Sequence, residues 1–107
     1  MAGLIVLKPG VDWTATGGLF DWALEFLIPR LSDKEAVERL REIVDGNLGS
    51  LWISEFSTAV RLQIIVALRA RLVTAAERDL LETDHKAVAV QHLQELVDLT
   101  YKVDNGE

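Results

Sequence analysis

Residues 57–73 read STAVRLQIIVALRARLV, and this stretch decides the predicted fold class. At 100° per residue its apolar side chains occur on almost every side of a helix, while its three arginines are few and spread around the wheel. A helix that is apolar nearly all round is surrounded by other elements. We therefore predict a helix from about Ser54 or Ser57 to Val73 at the centre of a helical bundle.

Four further helices are predicted around this central helix. The first runs from about Leu19 to Ile28 and ends before Pro29, because the residue before a proline is pushed out of the helical region. The second, over residues 32–45, opens on a Ser-Asp-Lys-Glu capping box. A second capping-box pattern predicts a short helix over residues 74–81, and Thr83 or Asp84 is the expected cap of a last helix to about Val103.

The N-terminus is predicted to be extended. Residues 4–7 are four apolar residues in a row, the Lys-Pro-Gly at residues 8–10 is typical of a turn, and residues 11–13 suit a short returning strand. The sequence thus predicts an all-α fold, a single compact bundle of about five helices over residues 1–107. A short extended or β-hairpin-like arm and loop would occupy residues 1–15, and residues 104–107 would form a flexible tail.

Composition narrows the classes of function. The 107 residues include no cysteine, which excludes disulfides and thiolate chemistry, and the net charge of −6 repels the phosphate backbone of nucleic acids. The chain shows neither a secretion signal nor an apolar run long enough to span a membrane. We expect a cytoplasmic protein that binds neither nucleic acid nor membrane directly.

The most organised polar surface is a row of acids on the second helix, which we call the acidic ridge. Its members recur at a spacing of three and four and fall within an arc of about 80°; they are Glu35, Glu38, Glu42 and Asp45. One interpretation is a binding surface for a basic protein. The other is a solvated face with local ion pairs worth roughly 0.3 kcal/mol each, here Glu35–Arg39, Glu38–Arg41 and Arg41–Asp45.

Known catalytic and metal-binding patterns are not found in the sequence. His85 and His92 lie seven residues apart, about 10 Å along a helix axis, which is too far to share one metal ion. Residues 82–85 spell E-x-x-H once, without the second copy that a di-iron bundle needs. We predict no catalytic residue, no metal site and no cofactor.

Three tryptophans bear on a binding role. Trp22 and Trp52 are predicted to lie in the core, and Trp13 is the tryptophan that we expect to be exposed, beside Asp12 in a glycine-flanked loop. Exposed tryptophan next to an acid is a typical hot-spot pattern in interfaces. The alternative is that Trp13 plugs one end of the bundle.

By type, the chain resembles the small acidic helical immunity proteins that neutralise nuclease toxins in bacterial competition systems. The likeness covers size, charge, the absence of cysteine and the lack of a catalytic pattern. It implies a non-enzymatic inhibitor that covers the active site of a basic toxin. The partner-binding residues would be Asp12, Trp13, Asp21, Glu25, Glu35, Glu38, Glu42 and Asp45.

Two alternatives stay open at this point. The chain is also compatible with a structural or adaptor subunit, a homodimer or small assembly that buries apolar surface such as residues 4–7. A weaker alternative is an enzyme with a carboxylate-rich pocket.

Overall fold

The computed structural model describes residues 2–80 and 85–105. In chain order its elements are β1 (Ala2–Lys8), β2 (Val11–Thr16), α1 (Gly17–Leu27), a 3-10 turn (Ile28–Arg30), α2 (Lys34–Asp45), β3 (Ser50–Trp52), a second 3-10 turn (Ile53–Glu55), α3 (Thr58–Asp79) and α4 (Lys86–Asn105).

The N-terminal arm is a β-hairpin inside a three-stranded sheet of order β2-β1-β3. β1 pairs with β2 in antiparallel and with β3 in parallel orientation. The turn between β1 and β2 needs Gly10, whose φ of 87° is favourable for glycine and strained for other residues. The predicted hairpin-like arm is confirmed, and its second strand is longer than expected.

The all-α bundle of about five helices is wrong on two counts. β3 adds a third strand to the sheet, and α3 runs without a break from Thr58 to Asp79. The separate helix predicted over residues 74–81 is therefore the last part of α3 as far as Asp79, and Leu81 lies outside the described residues. The described part of the chain contains four α-helices against a mixed sheet.

The helices cover one face of the sheet. Ile5 on β1 is the register partner of Trp13 on β2 and Leu51 on β3, so these three side chains lie in one row on the inner face. All three are at most 3% exposed and belong to the core, with Leu24 of α1, Leu40 of α2, Leu68 and Leu72 of α3, and Leu93 and Leu96 of α4.

The outer face of the sheet carries the next row of register partners. Val6 lies between Asp12 on β2 and Trp52 on β3, and Trp52 is 43% exposed. The prediction that Trp52 lies in the core is therefore wrong, since the strand alternation turns it away from the helices. Trp22 is half-buried against the core, where it stacks on Phe26.

The N-caps of α2 and α3 are short polar side chains, as predicted, but the cap of α2 lies one residue later than the capping-box pattern indicated. The Ser57 hydroxyl accepts a hydrogen bond from Val60 N, so α3 begins at the second of the two predicted positions. α2 is capped by Asp33 and not by Ser32, because Asp33 Oδ1 accepts from Ala36 N at 2.9 Å. The predicted cap of the last helix at residues 83–84 lies outside the described residues.

The end of α4 also differs from the prediction. Leu93, Leu96 and Val97 are buried as expected, whereas Tyr101 is 49% exposed and lies under the Arg69 guanidinium, 4.0 Å from the ring centre. The helix continues to Asn105, through the first part of the predicted tail. Among the described residues, no helix is both long and apolar enough to cross a membrane.

Candidate functional site

The acidic ridge lies on the solvent side of α2. Ala36, Leu40 and Ile43 anchor the opposite side of the helix in the core, and all four ridge acids are exposed. The observed ion pair is Arg39–Glu42, with 2.6 Å between Nη1 and Oε1, rather than the expected Glu35–Arg39. Since both partners are about half exposed, this pair contributes little stability.

The charges at the two ends of the ridge differ in their effect on the helix. Glu35 lies in the first turn of α2, where the helix dipole favours a negative charge. Asp45 is the last residue, where the dipole opposes one, and the last turn contains no basic residue. Of the two ends of the ridge, Glu35 therefore favours α2 and Asp45 opposes it.

Asp12 and Trp13 lie at the other end of the sheet from the ridge. α2 packs near β3, whereas α4 packs on β2, and β1 separates these two strands. The structure thus does not bring the ridge together with Asp12 and Trp13.

Trp13 is buried, at 3% exposure, so the expectation of an exposed tryptophan is wrong. Its indole Nε1 donates to the His92 backbone oxygen at 3.0 Å, and its ring stacks on the His92 ring with 4.9 Å between centres. Trp13 is thus buried, as the alternative predicted, but it lies on β2 against α4 and not in a loop at one end of a bundle. Trp13 thus contacts a residue of α4 that lies 79 positions later in the chain. A pattern of neighbouring residues does not indicate such a distant contact.

A cleft of about 550 Å³ surrounds this contact; the residues that line it are Asp12, Trp13, Thr14, His92, Glu95, Asp98, Leu99 and Lys102. His92 Nδ1 lies 3.2 Å from Glu95 Oε1, and Nε2 contacts the Thr14 backbone oxygen. Both ring nitrogens face oxygen acceptors, so the imidazole links α4 to β2 instead of presenting a free nitrogen. No group of three or more His, Asp or Glu side chains within the described ranges is arranged to hold a metal ion.

Asp21 and Glu25 lie on α1, the former half-buried and the latter exposed. Glu25 lines a hollow of about 190 Å³ that also involves Arg30 and Asp79. This hollow contains neither Asp21 nor any residue of α2, so Glu25 faces Arg30 and Asp79 rather than the ridge.

A further surface was not predicted. The outward face of α3 exposes Leu62 at 62% and Val66 at 54%, and a groove of about 530 Å³ runs along it. We call it the α3 groove; it is lined by Arg30, Ala59, Leu62, Gln63, Val66, Ala67, Ala70 and Arg71. The apolar residues on nearly all sides of residues 57–73 could have indicated this surface, because one side of such a helix can remain exposed to solvent.

A second hollow lined by basic side chains lies next to the α3 groove. Arg30, Arg71 and Arg78 line an adjoining hollow of about 90 Å³ together with Thr74. Arg78 Nε donates a hydrogen bond to Asp79 Oδ1 at 3.0 Å, and this bond, followed by the negative charge of Asp79, raises the pKa of Arg78 above its ordinary value. Arg30 of the first 3-10 turn thus lies near Arg71 and Arg78 of α3, where Asp79 pairs with Arg78.

Compared with known proteins, the chain matches no family model, no curated protein and no solved structure.

Proposed function

We propose that this protein acts by binding a basic protein through the acidic ridge of α2, and that it does so without catalysing a reaction. The observation that carries the proposal is the exposure of all four ridge acids on a helix whose other side is fixed in the core. Such a row of charges is rigid, because the helix holds its spacing, and it is available to a partner without rearrangement.

Electrostatics favours this mode of binding. A net charge of −6 attracts a basic protein over distances of about a Debye length, roughly 10 Å at 0.1 M salt, and raises the encounter rate. Nucleases hold phosphates with Lys and Arg, and four carboxylates at helical spacing are suited to occupy such a surface. The proposed activity is therefore inhibition of a toxin, such as a nuclease, by covering its active site in the bacterial cytoplasm.

The test is the association rate with a basic protein that co-purifies with this chain from its own cells. Stopped-flow measurements at low and high salt should show a rate that falls as salt rises. The double variant Glu38→Lys/Glu42→Lys should associate more slowly than the wild type.

A matched control separates the ridge from the net charge. Glu77→Lys/Asp98→Lys also reverses two exposed acids, on α3 and α4, and gives the same net charge. If both double variants slow association equally, or if the rate is indifferent to salt, the ridge is not the binding surface.

The homo-oligomer alternative needs a different surface from the one expected. Within residues 4–7, Leu4 is half-buried and Ile5, Val6 and Leu7 are at most 5% exposed, so this segment offers a second copy little apolar area to cover. The proposal of an inhibitor therefore stands ahead of it.

A further inference from the structure

The α3 groove has the composition of a helix-binding surface. Ala59, Leu62, Val66 and Ala70 follow the spacing of three and four that places them in one stripe, and Leu62 and Val66 are more than half exposed. Contiguous exposed apolar surface on a small protein marks an interaction site more often than isolated exposed residues do.

The charge around the groove is opposite to the charge of the chain. Residues 56–76 contain no Asp or Glu. Arg30 and Arg71 line the groove, whereas Arg78 in the adjoining hollow is already paired with Asp79. A partner that fits this surface combines apolar residues with negative charge.

The groove is held in shape before any partner binds. Arg30 stacks over the Phe26 ring at 4.1 Å and donates to the Phe26 backbone oxygen at 2.7 Å, which leaves other guanidinium donors available. Gln63 is fixed by two hydrogen bonds with Ser32, from its Nε2 to the hydroxyl and from the Ser32 N–H to its Oε1. A preformed wall lowers the entropic cost of binding.

We propose that the α3 groove binds an acidic amphipathic helix of another protein. Apolar residues at positions i and i+4 of that helix cover Leu62 and Val66, and flanking carboxylates bond to Arg30 and Arg71. The surface is distinct from the acidic ridge, so this partner differs in charge from the basic partner proposed above.

A second copy of this chain does not supply such a helix. α2 is the helix with the most acids, and its apolar residues Ala36, Leu40 and Ile43 are buried in its own core. A groove-to-groove contact would bring the arginines of both copies into the same interface, which like charge disfavours. The charge of the groove thus favours a different protein.

The experiment is a selection from a displayed library of 16-residue helical peptides against the full-length protein. The expected winners carry apolar residues at i and i+4 with Asp or Glu beside them. A synthetic winner should bind in a fluorescence anisotropy titration, and a twin peptide with Lys in place of every acid should not.

Matched variants locate the binding site. Val66→Glu and Arg71→Glu should each weaken binding of the winner by about tenfold or more. Val88→Glu, at an equally exposed valine on α4, and Arg39→Glu, at an exposed arginine on α2, should leave the affinity within about threefold of the wild type.

The proposal is overturned if the selected peptides are not enriched in acidic residues, or if they bind the Val66→Glu variant as well as the wild type. So does a protein that doubles in mass with concentration in light scattering and becomes monomeric on Val66→Glu, because the groove then belongs to a second copy. Glu38→Lys/Glu42→Lys should not weaken the winner, so failure here is distinguishable from failure of the ridge proposal.

Discussion

α2 and α3 place opposite kinds of side chain in solvent. α2 buries an apolar side and exposes a row of acids, as an amphipathic surface helix does. α3 buries Ile64, Leu68 and Leu72, yet its outward face exposes Leu62 and Val66 between arginines. The comparison shows that the net charge of −6 is not evenly distributed: α2 carries four acids beside Lys34, Arg39 and Arg41, whereas residues 58–76 of α3 carry arginines and no acid.

The largest expected change in stability comes from comparing substitutions on the buried and exposed faces of α3. Leu68→Ala should lower the free energy of unfolding by roughly 2–5 kcal/mol, because the side chain is 1% exposed and its removal leaves a cavity. Leu62→Ala, at 62% exposure, should change it by less than about 0.5 kcal/mol. Urea denaturation of both variants at two protein concentrations measures the difference.

A large loss at Leu62 would break the comparison. It would mean that the outward face of α3 is covered in solution, and a dependence of that loss on protein concentration would identify a second copy as the cover.

The continuity of α3 is tested by Thr74→Pro. A proline inside a helix removes a backbone hydrogen bond and clashes with the preceding turn, so we expect a loss of about 3 kcal/mol. The control Thr74→Ala should be nearly neutral, because Thr74 is exposed. If Thr74 were instead the N-cap of a separate helix, as the capping-box pattern predicted, proline and alanine there would both cost only the cap, about 1 kcal/mol, and thermal unfolding monitored by circular dichroism distinguishes the two.

The capping-box pattern at residues 74–77 does not start a new helix, because the tertiary packing of this segment decides its structure. Ala75 and Ala76 are at most 3% exposed, so the core fixes this segment as a continuation of the helix. Tertiary packing thus overrides a local start signal. The apolar residues of 57–73 predicted a helix there, and α3 confirms it, but the expectations that it ends at Val73 and is surrounded at the centre of a bundle are wrong.

β3 and Trp13 illustrate what a local pattern does not contain. β3 has three residues, too few for an alternation to be recognised, and its register with β1 depends on a parallel pairing across more than forty positions. The burial of Trp13 depends on α4 in the same way. The exposure of the ridge acids was predictable, because the helical period alone places them opposite Ala36, Leu40 and Ile43.

A smaller change in stability tests which residue caps the start of α2. Asp33→Ala should cost about 1 kcal/mol, because its carboxylate caps the Ala36 N–H. Ser32→Ala, at the residue that the sequence pattern indicated as the cap, should cost less, because its hydroxyl accepts only an exposed hydrogen bond from Gln63. Equal costs in urea denaturation would mean that both residues share the capping role.

The smallest effect decides between the two interpretations of the ridge. Asp45 is exposed at the C-terminal end of α2, so Asp45→Asn should raise the free energy of unfolding by about 0.3–1 kcal/mol at low salt, and less at high salt. Glu35→Gln, at the favourable end, should lower it slightly. Urea denaturation at 20 mM and 500 mM salt, roughly 20 Å and 4 Å of screening length, measures both changes. A stabilising Asp45→Asn means that the ridge carries a charge that opposes folding, which a binding role explains and a merely solvated face does not. A destabilising one means that Asp45 gains from a local pair such as Arg41–Asp45, and local pairing then suffices to explain the row of acids.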